Sequence, residues 1–335
     1  MADLSTSYMG LPLINPLIAS SSPLTGNLDD ARRLEDAGAA AIILPSLFEE
    51  ELLQDQQQMH EFMDHQAIGH GEADSFLPPS SDYKSHLDHY LETIATIKAA
   101  IDIPVIGSLN GVSLAGWLEH GADLQQAGCD ALELNIYYVP ANPEETGSDV
   151  ESRYLQILEN LCAQFTLPIG IKISHSFSSI AHFVRQLERA GAKGTALFNR
   201  FYQPDIDLSS LQVTPKIQLS NSIESLERIR WIALLRAHVQ MDLAATGGFH
   251  DANDVIKAVL AGADAVYLCS SLLQHGIQRL PEILSDISDW MHVHEYESIA
   301  QLKGSVCQKH AIEPAAYERA NYLKTLKSYQ RSDNN

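Results

Sequence analysis

Positive charge is what this chain has least of: 22 lysines and arginines face 43 aspartates and glutamates, a net charge of −21 at pH 7. The long-range field of such a chain repels polyanions, which argues against a general nucleic-acid or anionic-membrane surface, so an anionic ligand must find a local positive pocket. Cysteine is scarce as well. Cys129, Cys162, Cys269 and Cys307 are widely spaced and form no CxxC pair, so no zinc knuckle, iron–sulfur set or disulfide framework is implied. Reduced thiols in a cytoplasm are the simplest account. No apolar run approaches the roughly 20 residues that span a bilayer, and no basic segment followed by an apolar core opens the sequence, so a soluble protein is expected. A dinucleotide fingerprint is missing too: the turn after Leu17 reads Ala19-Ser20-Ser21-Ser22-Pro23, without GxGxxG.

What the sequence has is a repeat. Ala37-Gly38-Ala39-Ala40-Ala41, Ala127-Gly128-Cys129-Asp130-Ala131, Ala190-Gly191-Ala192-Lys193-Gly194 and Ala261-Gly262-Ala263-Asp264-Ala265 each follow an amphipathic stretch and precede an apolar run. Glycine there suits the left-handed residue that ends a helix. A second kind of entry, Asn15-Pro16, Ile103-Pro104 and Leu167-Pro168, alternates with the first and opens strands with a proline. Strands are read near Leu17, Ala41, Val105, Ala131, Ile169, Thr195, Met241 and Ala265, eight in all, with helical patterns between them. Runs this apolar are buried on both faces, as in a parallel sheet. Eight units imply a closed (βα)8 TIM barrel within one α/β domain over residues 1–335, its core about 8–276 and C-terminal helices about 277–326. A doubly wound open sheet is the alternative.

Two intervals exceed a simple turn, after the second and the sixth strand. Ser46 to Ser85 reads as a helix to about His65 followed by a broken polar stretch. Its His60, His65 and His70 read as solvated loop histidines, and no metal is expected. Arg200 to Leu219 suits a short β excursion or lid. Insertions at the carboxyl ends of barrel strands surround the active site.

The densest functional signal lies between Met241 and Gly276. A strand runs into Thr246-Gly247-Gly248, and Asp251 then caps a helix reaching about Ala261, which leaves backbone N–H groups free to face an anion. The next strand empties into Ser270-Ser271 and another helix start, so two consecutive turns form the outline of a phosphate cradle. Two ordinary turns are the plainer alternative. Candidates at the other strand ends are Ala19 and Ser20, Pro45 and Ser46, Asn110, Asn135 with Tyr137 and Tyr138, Lys172 with Ser174 and His175, and Asn199 with Arg200. Lys172, in Ile169-Gly170-Ile171-Lys172-Ile173, points a cation into the barrel mouth. It could pair with Glu133 on the preceding strand, meet an anionic group, or act as a Schiff-base nucleophile. The asparagine amides suit a planar heterocycle with alternating C=O and N–H groups.

Asn15-Pro16-Leu17-Ile18-Ala19-Ser20, Leu132-Glu133-Leu134-Asn135, Ile171-Lys172, Asn199, Thr246-Gly247-Gly248, and Gly262-Ala263-Asp264-Ala265-Val266 with Ser270-Ser271 together resemble the dihydroorotate dehydrogenase family, in its class 1-like form. The resemblance implies an FMN-dependent oxidoreductase of pyrimidine biosynthesis that oxidises dihydroorotate, or a related small substrate, by hydride transfer to FMN. It implies that Ala19 and Ser20 lie along the isoalloxazine and that Asn110, Asn135 and Lys172 bond its polar edge. Gly247, Gly248, Ser270 and Ser271 would hold the phosphate, while Ser46, Asn199 and Arg200 would meet substrate. A homodimer is implied, and a partner protein could accept the electrons. The chain departs from the family after Asn135, where Ile136-Tyr137-Tyr138-Val139-Pro140-Ala141-Asn142 puts Tyr138 at the position of the cysteine or serine base. Pro45-Ser46 stands where the family has a lysine after the second strand, and the asparagine-rich orotate loop has no clear counterpart between Phe76 and Tyr83. The flavin half is kept and the substrate half rewritten. Two other readings stay open: a non-redox barrel enzyme acting on a phosphorylated metabolite through a Schiff-base Lys172, and a flavin-binding protein without turnover.

Overall fold

A computed structural model describes residues 2–55, 57, 85–111, 113–318 and 326. The strands are β1 (Thr6–Tyr8), β2 (Leu11–Leu13), β3 (Leu17–Ala19), β4 (Ala41–Ile43), β5 (Leu47–Phe48), β6 (Val105–Asn110), β7 (Ala131–Asn135), β8 (Ile169–Ile173), β9 (Gly194–Leu197), β10 (Asp205–Asp207), β11 (Gln212–Thr214), β12 (Asp242–Thr246) and β13 (Ala265–Leu268). Eight of them, β3, β4, β6, β7, β8, β9, β12 and β13, pair in parallel in that order, and β13 pairs back onto β3 to close the barrel. Each begins within one residue of its expected start. The prolines work as expected at strand entries, because a proline carbonyl still accepts: Pro16, Pro104 and Pro168 receive the N–H groups of Val266, Ile42 and Leu132 from neighbouring strands. The four repeat glycines, Gly38, Gly128, Gly191 and Gly262, all have positive φ, from 95° to 120°, which is why an Ala-Gly pair marks every second handover.

The repeat aspartates have a role that the sequence did not disclose. Asp130 accepts the Val105 N–H and the Lys98 ammonium, each at 2.7 Å. Asp264 accepts the Leu243 N–H at 2.7 Å, Arg236 at 2.8 Å and Lys303 at 2.6 Å. One carboxylate thus fixes the entry of the preceding strand to the helix around it, and desolvation is offset by multiple charge-assisted bonds.

Inside the barrel the walls are small. Ala131, Ala196, Ala244 and Ala265 line an inner cluster, filled from below by Tyr8 and Met9 on the turn of the antiparallel β1–β2 hairpin. The room comes from Gly170 and Gly194: a Cβ at Gly170 would lie 2.4 Å from the Met9 sulfur, and one at Gly194 would lie 2.9 Å from the Tyr8 ring. Burying Met9 contributes about 1.5–3 kcal/mol and closes the lower end of the barrel. Functional side chains are therefore confined to the opposite end, at the strand carboxyl termini.

The insertion after the sixth barrel strand is an exposed hairpin of β10 and β11, the expected β excursion. Of the insertion after the second, residues 49–55 are helical, and the stretch with His60, His65 and His70 lies outside the described residues. The C-terminal extension begins helical, as expected, and is described continuously to residue 318. Helices cover Arg279–Val293 and Ile299–Leu302, and turns follow, with Gly304 at a φ of 73° and a short 3₁₀ turn at Pro314–Tyr317. Left-handed backbone at Gly304 cannot continue a right-handed helix.

Candidate active site

Strand alternation decides which side chains reach the mouth. In β8, Ile169, Ile171 and Ile173 pack outward in the core against the helices, so Gly170 and Lys172 face inward. Lys172 lies in register with Asn135 on β7 and Ala196 on β9. Its Nζ is 3.8 Å from Glu133 Oε1, with the two side chains 10% and 2% exposed. The salt bridge expected with Glu133 is present, and Lys172 still lines the cavity above it. Burial pushes the Glu133 carboxyl above the usual carboxylate range, and the Lys172 charge opposes this.

Above Lys172 opens a cavity of about 680 Å³. One wall is a polar chain across the mouth: Ser108 Oγ is 2.8 Å from Ser46 Oγ, Asn135 Nδ2 donates to Ser46 Oγ at 3.3 Å, and Asn199 Nδ2 donates to Asn135 Oδ1. The other walls are Ser21, Ser22 and Pro23 after β3, Pro45 and Phe48 after β4, and His86, His89, Tyr90 and Thr93 of the helix His86–Lys98. Asn110, at the end of β6, is not part of these walls: it lines a separate small pocket with Glu49, Trp117 and His120, buried and with its Nδ2 unpartnered among the described residues, a spare donor. Ala19 is fully buried and Ser20 nearly so, with the Ser20 N–H bound to Leu268 O; the cavity wall begins at Ser21.

The cradle is built by three loops. Gly247 and Gly248 both have positive φ, 88° and 94°, and a Cβ at Gly248 would lie 2.4 Å from the Ser225 nitrogen. Asp251 caps the helix Ala252–Ala261 by accepting the Asp254 N–H, as the sequence implied. The third loop brings Ser220, whose Oγ accepts the Gly248 N–H at 3.2 Å and lies 3.2 Å from His250 Nε2, while its N–H donates to Ser270 Oγ at 3.1 Å. Ser271 Oγ is buried without a partner, and the helix Ser270–His275 begins without a side-chain cap, so donors there remain available to an oxyanion. Arg228 lies buried against Gly247 and donates to Thr246 O. It also donates to Glu224 O at 2.8 Å and pairs with Glu227 at 3.3 Å.

Two expected residues lie elsewhere. Tyr138 does not face the mouth: its Oη donates to Glu145 Oε2 at 2.6 Å, Arg153 sits over its ring, and it lines a separate cavity of about 190 Å³. Alternation from inward Asn135 turns Tyr137, not Tyr138, into the main cavity. Tyr137 stacks on Phe201 at 4.2 Å and accepts the Tyr202 N–H. Arg200 is likewise committed, pairing with Glu224 at 2.9 Å and donating to Gln218 O; it lines the cavity beneath the β10–β11 hairpin. The sequence offered Tyr137 as a strand-end candidate without a role, and it gave no sign of Ser220 or Arg228. Carrying the alternation two residues past Asn135 favours Tyr137 over Tyr138 for the mouth. No local signal singles out Ser220 or Arg228, because their roles come from contacts across the fold.

Residues 80–291 match the family model for dihydroorotate dehydrogenase. The catalytic subunit of dihydroorotate dehydrogenase B (NAD(+)) of Thermoplasma acidophilum is 26% identical over 313 residues, which cover 91% of this chain and 99% of that protein. The chloroplastic dihydropyrimidine dehydrogenase (NADP(+)) of Arabidopsis thaliana is 23% identical, over 91% of this chain and 77% of its own. The NAD-dependent dihydropyrimidine dehydrogenase subunit PreA of Escherichia coli is 21% identical, over 90% and 76%.

Proposed function

Because the chain belongs to the dihydroorotate dehydrogenase family, we propose that it is an FMN-dependent oxidoreductase acting on the CH–CH bond of a dihydropyrimidine such as dihydroorotate. The observation that carries this is that the loops of Gly247, Gly248, Ser270 and Ser271 and the cavity holding Lys172 lie at the same carboxyl end of one closed barrel, with unpartnered polar atoms at Ser271 and Asn110 among the described residues. A buried, unpartnered Ser271 hydroxyl fits the phosphate end of FMN. The bound FMN would supply a two-electron acceptor for hydride. With FMN bound, Lys172 would set its ammonium against the negative charge of the reduced ring and so would favour the transfer electrostatically. Asn135 and Asn199 present amide groups that orient a planar ring with C=O and N–H edges.

The substrate half differs from an orotate site. Tyr138 is turned away, so the substrate proton has no acceptor there, and His86 and His89 are the imidazoles lining the cavity among the described residues. We read the substrate as a dihydropyrimidine whose identity is set by Tyr137, Ser46 and Asn199. Relatives named as subunits, in Thermoplasma acidophilum and Escherichia coli, favour a partner protein as electron acceptor. The pairing of Lys172 Nζ with a carboxylate suits an electrostatic role better than Schiff-base chemistry.

The test is a visible spectrum of the purified protein supplied with FMN, followed by anaerobic addition of dihydroorotate, dihydrouracil and dihydrothymine in turn. Oxidised-flavin bands that bleach with one of them support the reading. Lys172→Met should keep the bands and slow bleaching by about 10²-fold. A preparation that binds no FMN ends the proposal.

A further inference from the structure

We propose that Glu133 is a redox-linked proton acceptor: it stands ionised opposite Lys172 while the flavin is oxidised and takes up one proton when the flavin is reduced. This rests on the reading of the mouth as a flavin site. Glu133 faces into the barrel from β7, in register with Ser108 on β6 and Gly170 on β8. Its side chain is 2% exposed, and neither carboxylate oxygen completes a close hydrogen bond. The groups that face it are few. Lys172 approaches from β8 at 3.8 Å, and the Tyr267 hydroxyl from β13 is its other polar neighbour. Below them Tyr267 Oη donates to Tyr8 Oη at 3.0 Å, and Asp242 lies at the lower end of the barrel. Asp264 is neutralised by Arg236 and Lys303. The ionised state of Glu133 therefore depends first on the Lys172 ammonium, with the Tyr267 hydroxyl as the lesser support.

That ammonium also faces the mouth, so a negative charge arriving above it competes with Glu133 for the same cation. Burial already favours the neutral acid, and the competition tips the carboxylate toward protonation. The balance closes. Oxidation of the substrate would break two C–H bonds and release a proton and a hydride, the hydride and one negative charge passing to the bound flavin. Glu133 gains a proton from solvent in exchange for the one the substrate released, and one negative charge disappears from the barrel interior. Net charge near Lys172 is unchanged by turnover, so the low-dielectric interior never holds two anions against one cation.

The midpoint potential of the FMN-loaded wild type and of Glu133→Gln should be followed against pH, with the spectrum of the reduced flavin reporting whether its N1 carries a proton. The wild type is expected to take up two protons per two electrons with N1 unprotonated, and Glu133→Gln one proton per two electrons. As a measurement independent of the variant's folding, reduction of the wild type with ¹³C-labelled glutamate should produce an isotope-shifted carboxylic-acid C=O band in the infrared difference spectrum. Equal proton counts in the two proteins, or no such band, would overturn the role of Glu133 while leaving flavin binding intact. A wild type that takes up no FMN would instead overturn the reading of the mouth, and this role with it.

Discussion

Tyr138 Oη donates a 2.6 Å hydrogen bond to Glu145 Oε2, and the Arg153 guanidinium lies 5.1 Å from the centre of the same ring. The hydroxyl at the sequence position of a catalytic base is thereby bound into a structural cluster outside the main cavity.

If that geometry governs, Tyr138→Phe loses a bond to a charged group and costs about 1.5–3 kcal/mol of stability. Turnover should stay within about 3-fold of wild type, less than a lost general base would take away. Denaturant melts and single-turnover flavin reduction measure the two effects separately; a 100-fold fall in the reduction rate would return Tyr138 to the reaction.

Gly248→Ala tests the cradle. A left-handed backbone at a non-glycine residue costs about 1–3 kcal/mol, and the new Cβ would press on the Ser225 nitrogen. Thermal melts should show the loss of stability, and the variant should emerge from purification with less bound FMN than wild type. Unchanged flavin content would separate Gly248 from phosphate binding.

Asp264 and Asp130 occupy equivalent repeat positions with unequal burial, their side chains 2% and 30% exposed. Asp264→Ala strands Arg236, Lys303 and the Leu243 N–H, at a cost of about 3–5 kcal/mol. Asp130→Ala should cost less, about 1 kcal/mol, because its ion pair is partly solvated. Urea midpoints of the two variants should fall in that order.

The Cys129 thiol is pushed up to about 12 by burial, helped by the Asp130 charge. Below pH 9 the folded protein keeps this thiol protonated, so a disulfide reagent at pH 8 should label Cys129 only after unfolding. The sign of the linkage follows: between about 9 and about 12 the unfolded chain releases the proton while the folded one retains it, so stability falls as pH rises through that window. Cys129→Ala should flatten this alkaline decline, which chemical denaturation at pH 8, 9 and 10 would detect.

The barrel was legible because its signals are local. Gly38, Gly128, Gly191 and Gly262 end helices in a conformation that the Ala-Gly pair announces, and Pro16, Pro104 and Pro168 open strands that need no N–H at that point. The turn after β12 was legible for the same reason, since Asp251 caps its own helix three residues on. Tyr138 was misplaced because a single step along an extended chain reverses the direction of a side chain. Arg200 was misread because its anion, Glu224, lies beyond the β10–β11 hairpin.

By itself, then, the sequence determined eight strands, their starts, the loops that hold glycine and serine, and an inward lysine on β8, all consequences of periodicity and turn chemistry within a few residues. Only the tertiary structure decided which of the three readings of Lys172 its surroundings favour, that Ser220 joins Gly248 to Ser270, and that Tyr8 and Met9 close the barrel from below. Those contacts join strands and loops remote in sequence, and barrel closure fixes which of their atoms meet.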